Sequence, residues 1–239
     1  MTEEDYIKEQ IKLSSRIKHE NTVNLSQVHT VAGVDLAYWK EDEQEYAVCC
    51  IVIINYNTLE VCEKVSYADK IKVPYIPGCL AFREVPLFLE TYKKVTIIPD
   101  VIFFDGNGYL HPRHMGLATH AGILIQKATV GIAKSYYKVE DVDFVMPANT
   151  EQAYTEIELH GKHYGRALRT HANVKPIFLS IGNAIDIETA TKMVNQLTTK
   201  ESHVPVPTRL ADLMTHEKRK ELTKKRKNTL YKKYCNTCR

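Results

Sequence analysis

Three apolar segments, separated by short polar stretches, constrain the fold of this chain more than any other feature. They cover residues 31–38, 46–55 and about 59–67, and their β-branched content predicts a meander of antiparallel strands. Downstream, helical and strand patterns alternate, which is typical of a sheet covered by helices. The sequence therefore predicts an α/β fold in which three antiparallel strands are followed by parallel strands, and in which helices flank the mixed sheet.

The other predicted elements lie on either side of this meander. Helices are expected over residues 6–19, 80–94, 115–127 and 186–198, and from about 208. Further strands are expected over residues 100–105, 128–134, 151–160, 163–171 and 176–181, the third and fourth of these forming a hairpin. Two prolines and a glycine keep residues 72–78 out of regular structure. We expect the first and fourth strands of the chain to lie side by side at the centre of the sheet, as in the ribonuclease H-like fold.

A carboxylate lies at the end of each of these two strands. Asp105 follows the apolar run Val101–Phe104 and precedes Gly106, and Asp35 lies late in the first strand. In open α/β sheets, ligands bind outside the carboxyl ends of the strands. A single Asp in such a position is more often a turn former or a helix cap. Two of them on neighbouring strands favour a site for a hard divalent cation such as Mg²⁺, which prefers oxygen ligands.

Size and composition limit the number of domains and the cellular setting that the chain can have. A length of 239 residues with 44% hydrophobic content suits one domain with a tail, which we divide into residues 1–222 and 223–239. The sequence has no apolar run long enough for a membrane helix, and its acidic N-terminus is not typical of a secretory signal. Four of the six cysteines lie in or beside predicted core segments, which favours a reduced, cytoplasmic protein.

The C-terminal stretch is basic, although the net charge of the chain is only +3. Residues 217–233 carry nine Lys or Arg against two Glu. Such a run is more often a solvated helix face than a nucleic-acid contact, although basic side chains do neutralise phosphates. The CxxC formed by Cys235 and Cys238 lacks a second pair at metal spacing, so we interpret it as incidental.

Several ordered motifs connect the chain to a known family. They are VAGVDLAY at 31–38, PYIPGCLAFREVP at 74–86, PDVIFFDGNGYLHPRHMGLATHAGIL at 99–124, TVGIAKS at 129–135, GRALRT at 165–170, KPIFLSIGN at 175–183 and PTRLAD at 207–212. A lone VDxxY would mean little, but together these stretches resemble the endonuclease V family, the deoxyinosine 3′-endonucleases. The resemblance covers roughly residues 25–220 and leaves out the tail.

This resemblance implies an enzyme that recognises deoxyinosine in DNA and initiates repair. It implies hydrolysis of the second phosphodiester bond on the 3′ side of the lesion, leaving a 3′-hydroxyl and a 5′-phosphate. It also implies a site for Mg²⁺, with Mn²⁺ able to substitute, formed by Asp35, Glu84, Asp105 and Asp212. Some relatives have His at the position of Asp212. The implied catalytic residues are Asp35, Glu84, Asp105 and Lys134, with Lys134 near the scissile phosphate.

Two of these residues would be interpreted differently without the resemblance. Glu84 would be a solvated Glu in the first turn of a helix, where the helix dipole favours a negative charge. Lys134 would be a strand-end side chain that extends its ammonium group to solvent. The resemblance instead assigns both to the chemistry.

A pocket for the inosine base is also implied. Its residues would be Gly78, Leu80, Gly108, His111 and Gly116, where glycines let main-chain groups approach the base. The loop of Tyr75, Ile76 and Pro77 resembles the wedge of the family, which fills the base stack while the damaged base is turned out. Taken alone, His111 is more often a loop histidine, and Tyr75 would belong to a packed loop.

Two other functions stay open. One is an endoribonuclease that cuts inosine-containing RNA, which a contact to a 2′-hydroxyl would distinguish. The other is a non-catalytic nucleic-acid binder, for which a carboxylate cluster facing a polyanion serves no purpose. The expected partner is DNA containing deoxyinosine, with no membrane partner, and we expect a monomer.

Some side chains have no assigned role. The candidates for phosphate contacts are Lys72, Arg113, His114, Lys138, Arg166 and Arg169. Asn183 would either cap the next helix or approach the site. His120 lies within a predicted helix and is interpreted as a structural hydrogen-bonding residue.

Overall fold

The first three strands of the chain form an antiparallel meander, and helices and strands follow it, as predicted. The computed structural model describes residues 2–235, and their side chains as far as residue 224. The helices are α1 (Glu3–Ser14), α2 (Leu80–Tyr92), α3 (Leu117–Ile125), α4 (Ile187–Leu197) and α5 (Val206–Cys235). The strands are β1 (Thr30–Glu41), β2 (Gln44–Asn55), β3 (Val61–Lys70), β4 (Val101–Asp105), β5 (Ala128–Ala133), β6 (Ala153–Leu159), β7 (Lys162–Arg169) and β8 (Ile177–Asn183). A short 3₁₀ helix covers Leu25–Gln27.

One eight-stranded sheet contains all of these strands, in the order β3-β2-β1-β4-β5-β8-β7-β6. Strands β1, β2 and β3 form the predicted antiparallel meander. Strand β4 pairs in parallel with β1 and with β5, so β1 and β4 are neighbours in the middle of the sheet. Beyond β5, strands β8, β7 and β6 return to antiparallel pairing. The predicted α/β fold with a mixed sheet is therefore confirmed.

The sheet separates two hydrophobic cores. Along β4, Val101 and Phe103 pack into the core on the α4 and α5 side. Ile102 and Phe104 pack into the core on the α2 and α3 side. Successive side chains of a strand point to opposite faces, and here both faces are covered. This double coverage explains why β4 has a continuous apolar sequence rather than an alternating one.

A close contact fixes helix α5 on the sheet. A Cβ atom added to Gly33 of β1 would lie 2.1 Å from the carbonyl carbon and oxygen of Pro207. Only a glycine lets the first turn of α5 approach the strand this closely. The helix then passes over the middle of β1, where Asp35 lies instead of at the predicted strand end, and it brings Asp212 to the same place.

Several boundaries differ from the predicted ones. Helix α1 begins at Glu3, where Thr2 and Asp5 form a reciprocal capping box, and it ends at Ser14 rather than near residue 19. Helix α5 passes the proposed boundary at residue 222 without a break and continues to Cys235. Cys238 of the CxxC lies outside the described residues, and the division into domain and tail stays a proposal. Among residues 2–235, none of the helices is long and apolar enough to span a membrane.

Candidate active site

Three aspartates from three different elements meet near the centre of the sheet, where β4 ends beside β1. Asp35 lies in β1, Asp105 ends β4, and Asp212 lies in α5. One carboxylate oxygen from each lies within 4.8 Å of the other two. The parallel register pairs Val34 with Phe104, so the next residue of each strand is the aspartate, and strand alternation points both toward α5. We call this set the acidic cluster.

The acidic cluster concentrates negative charge. Burial raises the pKa of Asp35 to about 7, and the negative charge of Asp105 contributes to this increase. The Nζ atom of Lys134, directly after β5, lies 2.6 Å from Asp105 Oδ2 and 3.8 Å from Asp212 Oδ1. Burial opposes the charge of Lys134, but the hydrogen bond with Asp105 and the nearby carboxylates raise its pKa overall. One ammonium group facing three carboxylates leaves an excess of negative charge that a divalent cation would neutralise.

Glu84, the fourth predicted ligand, lies beside the acidic cluster rather than in it. It is buried in α2 on the opposite face of the sheet from Asp35, and its Oε1 accepts a hydrogen bond of 2.5 Å from the Tyr38 hydroxyl. Burial raises the pKa of Glu84 to about 7, and the charges of Asp35 and Asp105 add to this effect. The interpretation of Glu84 as a solvated first-turn residue is therefore wrong. Its role as a ligand stays a prediction.

An ion pair between buried Arg83 and partly exposed Glu45 adjoins the Tyr38–Glu84 contact. The guanidinium carbon of Arg83 lies 4.7 Å from the centre of the Tyr38 ring, and Arg83 Nη2 lies 2.5 Å from Glu45 Oε1. The cation stacks on the aromatic face that carries the hydroxyl bound to Glu84. Sequence reasoning missed this group, although Tyr38 and Glu84 both belong to quoted motifs. Their contact depends on which face of the sheet α2 covers.

The predicted base pocket contains a densely hydrogen-bonded loop. Gly78 has a left-handed φ of +73°. Its carbonyl oxygen accepts hydrogen bonds from Gln10 Nε2 at 2.9 Å, from Arg113 Nη2 at 2.8 Å and from His111 Nε2 at 3.0 Å. One side chain from α1 and two from the loop before α3 therefore hold one carbonyl. We call this group the Gly78 anchor.

The tautomer of His111 follows from its contacts. Its Nδ1 accepts hydrogen bonds from the main-chain N–H groups of Arg113 at 3.2 Å and Met115 at 3.3 Å, so the hydrogen is on Nε2. Burial lowers the pKa of His111 to about 4, which keeps the ring neutral at pH 7. Both ring nitrogens thus organise the loop, and the predicted contact of His111 with a base stays a prediction.

The other predicted pocket residues adjoin this loop. The N–H of Gly116 donates to the carbonyl of Gly108 at 3.0 Å, and Leu80 begins α2 directly after the Gly78 turn. The structure therefore brings Gly78 together with His111, and Gly108 with Gly116. The Tyr75 side chain is 67% exposed, which rules out the packed-loop interpretation and leaves an aromatic ring facing solvent.

Two arginines considered as phosphate contacts are structural. Arg166 is buried, pairs with Glu156 at 2.8 Å, and also pairs with Glu188. Arg169 is buried as well and donates to main-chain carbonyls, including that of Ala148 at 2.9 Å. Because their guanidinium groups are used inside the fold, neither is available to DNA.

Three further side chains with unassigned roles also have partners in the fold. Lys138 Nζ lies 3.2 Å from Asp143. Asn183 does not cap α4, whose N-cap is Asp186. Its side chain instead holds the main chain of Lys18 and Lys127. His120 is buried edge-on against Phe82, but its Nδ1 has no hydrogen-bond partner among the described residues, so its role is in packing rather than in the predicted hydrogen bonding.

The fold and the acidic cluster together define a class of protein. A mixed sheet with carboxylates on adjacent first and fourth strands, completed by an aspartate from a C-terminal helix, is the ribonuclease H-like arrangement. Comparisons with known proteins narrow this class. The family model for endonuclease V matches residues 11–213, and the chain belongs to the endonuclease V family. It is an endonuclease.

Individual relatives agree with this assignment. Endonuclease V of Bacillus thuringiensis subsp. konkukian is 55% identical over 219 residues, covering 92% of this chain and 93% of the relative. The crystal structure of Bacillus subtilis endonuclease V superposes with a TM-score of 0.91 at 49% identity, covering 94% of this chain and 95% of that one. Ciona intestinalis endonuclease V, solved with a 24mer DNA containing an inosine followed by a ribo-adenosine, has a TM-score of 0.81 at 27% identity, with coverages of 91% and 98%.

Proposed function

We propose that this endonuclease requires a divalent cation, cuts DNA containing deoxyinosine at the second phosphodiester bond on the 3′ side, and thereby initiates repair. The observation that carries the proposal is the acidic cluster with Lys134 beside it. The bound inosine-containing DNA of the Ciona relative supports the substrate. The free cysteines Cys49, Cys50 and Cys79 support a reducing, cytoplasmic setting.

The residues of the acidic cluster fit a hard cation. Asp35, Asp105 and Asp212 offer carboxylate oxygens, which Mg²⁺ prefers, and Mn²⁺ accepts the same donors. When bound, the cation would neutralise charge on the phosphate and would orient and activate a water molecule. Lys134, held next to Asp105, would add a positive charge where the phosphate is attacked.

Base selection requires a separate device. Inosine presents a carbonyl oxygen and an N1–H where adenine presents an amine and a bare nitrogen. A pocket of main-chain donors and acceptors matched to inosine leaves unpaired polar groups against adenine, and such mismatches discriminate strongly. The Gly78 anchor supports this role because it holds main-chain groups in a fixed arrangement.

The offset between pocket and cluster supports a cut away from the lesion. The base would bind near Gly78 and Gly108, whereas the cation would bind at the carboxylates on β1, β4 and α5. Consecutive phosphates of one strand are only ~3.4 Å apart along the helix axis, so a further nucleotide fits between the two parts. The strand would be nicked with the base still attached, which leaves its removal to later repair steps.

Inosine-containing RNA is the second candidate substrate. The DNA bound by the Ciona relative has a ribo-adenosine after the inosine, so that protein accepts a 2′-hydroxyl at this position. The same tolerance here would allow cleavage of RNA as well as DNA.

A nicking assay on matched oligomers tests these proposals. DNA and RNA of the same sequence, each with and without inosine, would be incubated with Mg²⁺, with Mn²⁺ and with a chelator, and the product ends would be mapped. We expect metal-dependent cuts at the second linkage of the inosine DNA. Cleavage at the inosine's own 3′ phosphate, release of free hypoxanthine, or full activity in chelator would each contradict the proposal.

A further inference from the structure

One face of helix α5 carries more of the site than Asp212 alone. Thr215, His216 and Arg219 follow Asp212 at intervals of three, four and seven residues, so all four side chains lie on the same face of the helix. The Thr215 hydroxyl lies 3.3 Å from Asp35 Oδ2. The helix therefore presents a polar row to the middle of β1, and the row extends beyond the family motif that ends at Asp212.

Contacts along this row fix the state of His216. Arg219 Nη2 lies 3.0 Å from His216 Nδ1. A guanidinium group only donates hydrogen bonds, so Nδ1 is the acceptor and the ring hydrogen is on Nε2. Arg219 Nη1 also donates to the main-chain carbonyl of Tyr38 at 3.3 Å. Arg219 thus ties His216 to the strand that carries Asp35.

The protonated nitrogen of His216 lies next to the acidic cluster. His216 Nε2 is 3.4 Å from Asp212 Oδ1, a distance at which the N–H attracts the carboxylate. Lys134 Nζ approaches the same oxygen at 3.8 Å. Two positively polarised groups on one oxygen restrict the rotation of the Asp212 carboxylate.

We propose that His216, oriented by Arg219, is a positioning residue that holds Asp212 ready to bind a divalent cation. This inference rests on the proposed cation site and adds a residue pair outside it. Partners that orient a metal-ligating carboxylate typically change metal affinity by 10–100-fold. His216 is half exposed, with 50% of its side chain accessible, so we expect the lower end, roughly 10-fold.

Two substitutions of His216 distinguish the loss of its hydrogen bond to Asp212 from the loss of the ring itself. In His216→Gln, the amide nitrogen reaches the place of Nε2 and still donates to Asp212. In His216→Asn, the shorter amide reaches only the place of Nδ1. Mn²⁺ affinity of the nucleic-acid-free protein would be measured by electron paramagnetic resonance, and thermal unfolding would confirm that both variants fold. We expect His216→Asn to bind Mn²⁺ roughly 10-fold more weakly, and His216→Gln to stay close to the unsubstituted protein.

Arg219 provides an independent arm of the experiment. Arg219→Ala should weaken Mn²⁺ binding in the original background but have little further effect in the His216→Gln protein, because Gln needs no tautomer to be fixed. Lys218→Ala is the matched control: it removes the same charge from the same helix, from a side chain that pairs with Glu221 at 3.0 Å. It should leave Mn²⁺ affinity unchanged.

Cleavage assays distinguish the two levels of the proposal. A positioning residue changes the Mg²⁺ concentration needed for half-maximal rate, while the rate at saturating Mg²⁺ recovers. Equal losses of Mn²⁺ affinity in His216→Gln and His216→Asn, or no loss in either, would overturn the role of His216. If the Mn²⁺ series behaves as expected but inosine DNA is not cut, the proposed substrate fails and the positioning role stands.

Discussion

The acidic cluster and the Gly78 anchor, the two parts of the site, are built on opposite principles. In the acidic cluster, like charges are crowded, and burial raises the pKa of Asp35 to about 7. In the Gly78 anchor, one carbonyl has three donors, and burial keeps His111 neutral. The carboxylates of the cluster carry more negative charge than Lys134 offsets, whereas the anchor carbonyl already has its donors. Under the proposed function, the cluster would attract a cation, and the anchor would offer the base a fixed shape.

The largest effect should come from removing a carboxylate of the acidic cluster. Asp105→Asn and Asp35→Asn should each reduce cleavage of inosine DNA by at least about 10³-fold, because the cation that stabilises the reacting phosphate would be lost. DNA binding should persist, since fewer negative charges do not weaken attraction to phosphate. Single-turnover cleavage and gel-shift binding would be measured side by side. A variant that cuts at nearly the original rate would show that its carboxylate is not a ligand.

The crowding in the acidic cluster also predicts a gain in stability. The pKa of Asp35 is raised from 3.8 to about 7 in the folded protein, so the folded state holds this proton more tightly than the unfolded state. Stability without metal therefore falls as pH rises from about 4 to 7, and the loss remains at pH 8. Asp35→Asn should stabilise the metal-free protein by about 2 kcal/mol at pH 8, with little effect at pH 4. Urea unfolding at both pH values checks this, and a destabilised variant at pH 8 would contradict it.

Gly78→Ala should disrupt the Gly78 anchor. The added Cβ would lie 2.8 Å from Arg113 Nη2, at a φ of +73°. We expect roughly a 10-fold loss of preference for inosine over adenine, on the scale of a displaced hydrogen bond. Gly161→Ala is the matched control, because Gly161 has the same φ and an added Cβ would meet nothing within 4 Å.

The control separates backbone strain from loss of the anchor. Gly161→Ala should cost about 1 kcal/mol of stability and leave inosine preference intact. Cleavage of paired inosine and adenine substrates, together with thermal unfolding, would be measured for both variants. Equal losses of preference would mean that strain alone explains the Gly78 result.

The smallest effect is expected at Tyr75, whose ring is exposed. Tyr75→Ala should weaken cleavage of inosine in a duplex several-fold more than in a single strand, because a wedge is useful only where a stack must be opened. The comparison requires the same inosine strand with and without its complement. Identical defects on both substrates would show that Tyr75 does not act as a wedge.

Sequence reasoning located the residues that depend on strand geometry. Local patterns located the strands that carry Asp35 and Asp105, whereas the pairing of those strands was expected by analogy with the ribonuclease H-like fold and is confirmed. The burial of Glu84 was not predictable, since it depends on the face of the sheet that α2 covers. The row on α5 was also missed, because its position depends on the contact between Gly33 and Pro207.

Charge alone was also a poor guide to exposure. Arg166 and Arg169 were candidates for phosphate contacts because free arginines are usually at the surface. In the structure, Glu188 lies far from Arg166 along the sequence, yet the two side chains pair. This pairing can be recognised only once the positions of strand β7 and helix α4 are known. It makes Arg166 a structural residue rather than a phosphate contact.

The contact between Gly33 and Pro207 has a consequence for how the enzyme is made. The two residues are far apart along the chain, and synthesis proceeds from the N-terminus. A growing polypeptide has both strand aspartates long before it has Asp212. Until the last helix has left the ribosome and settled on β1, the acidic cluster has only two of its three members. The three-aspartate cluster is thus absent from any chain that stops before Asp212, and it forms only once α5 has packed on β1.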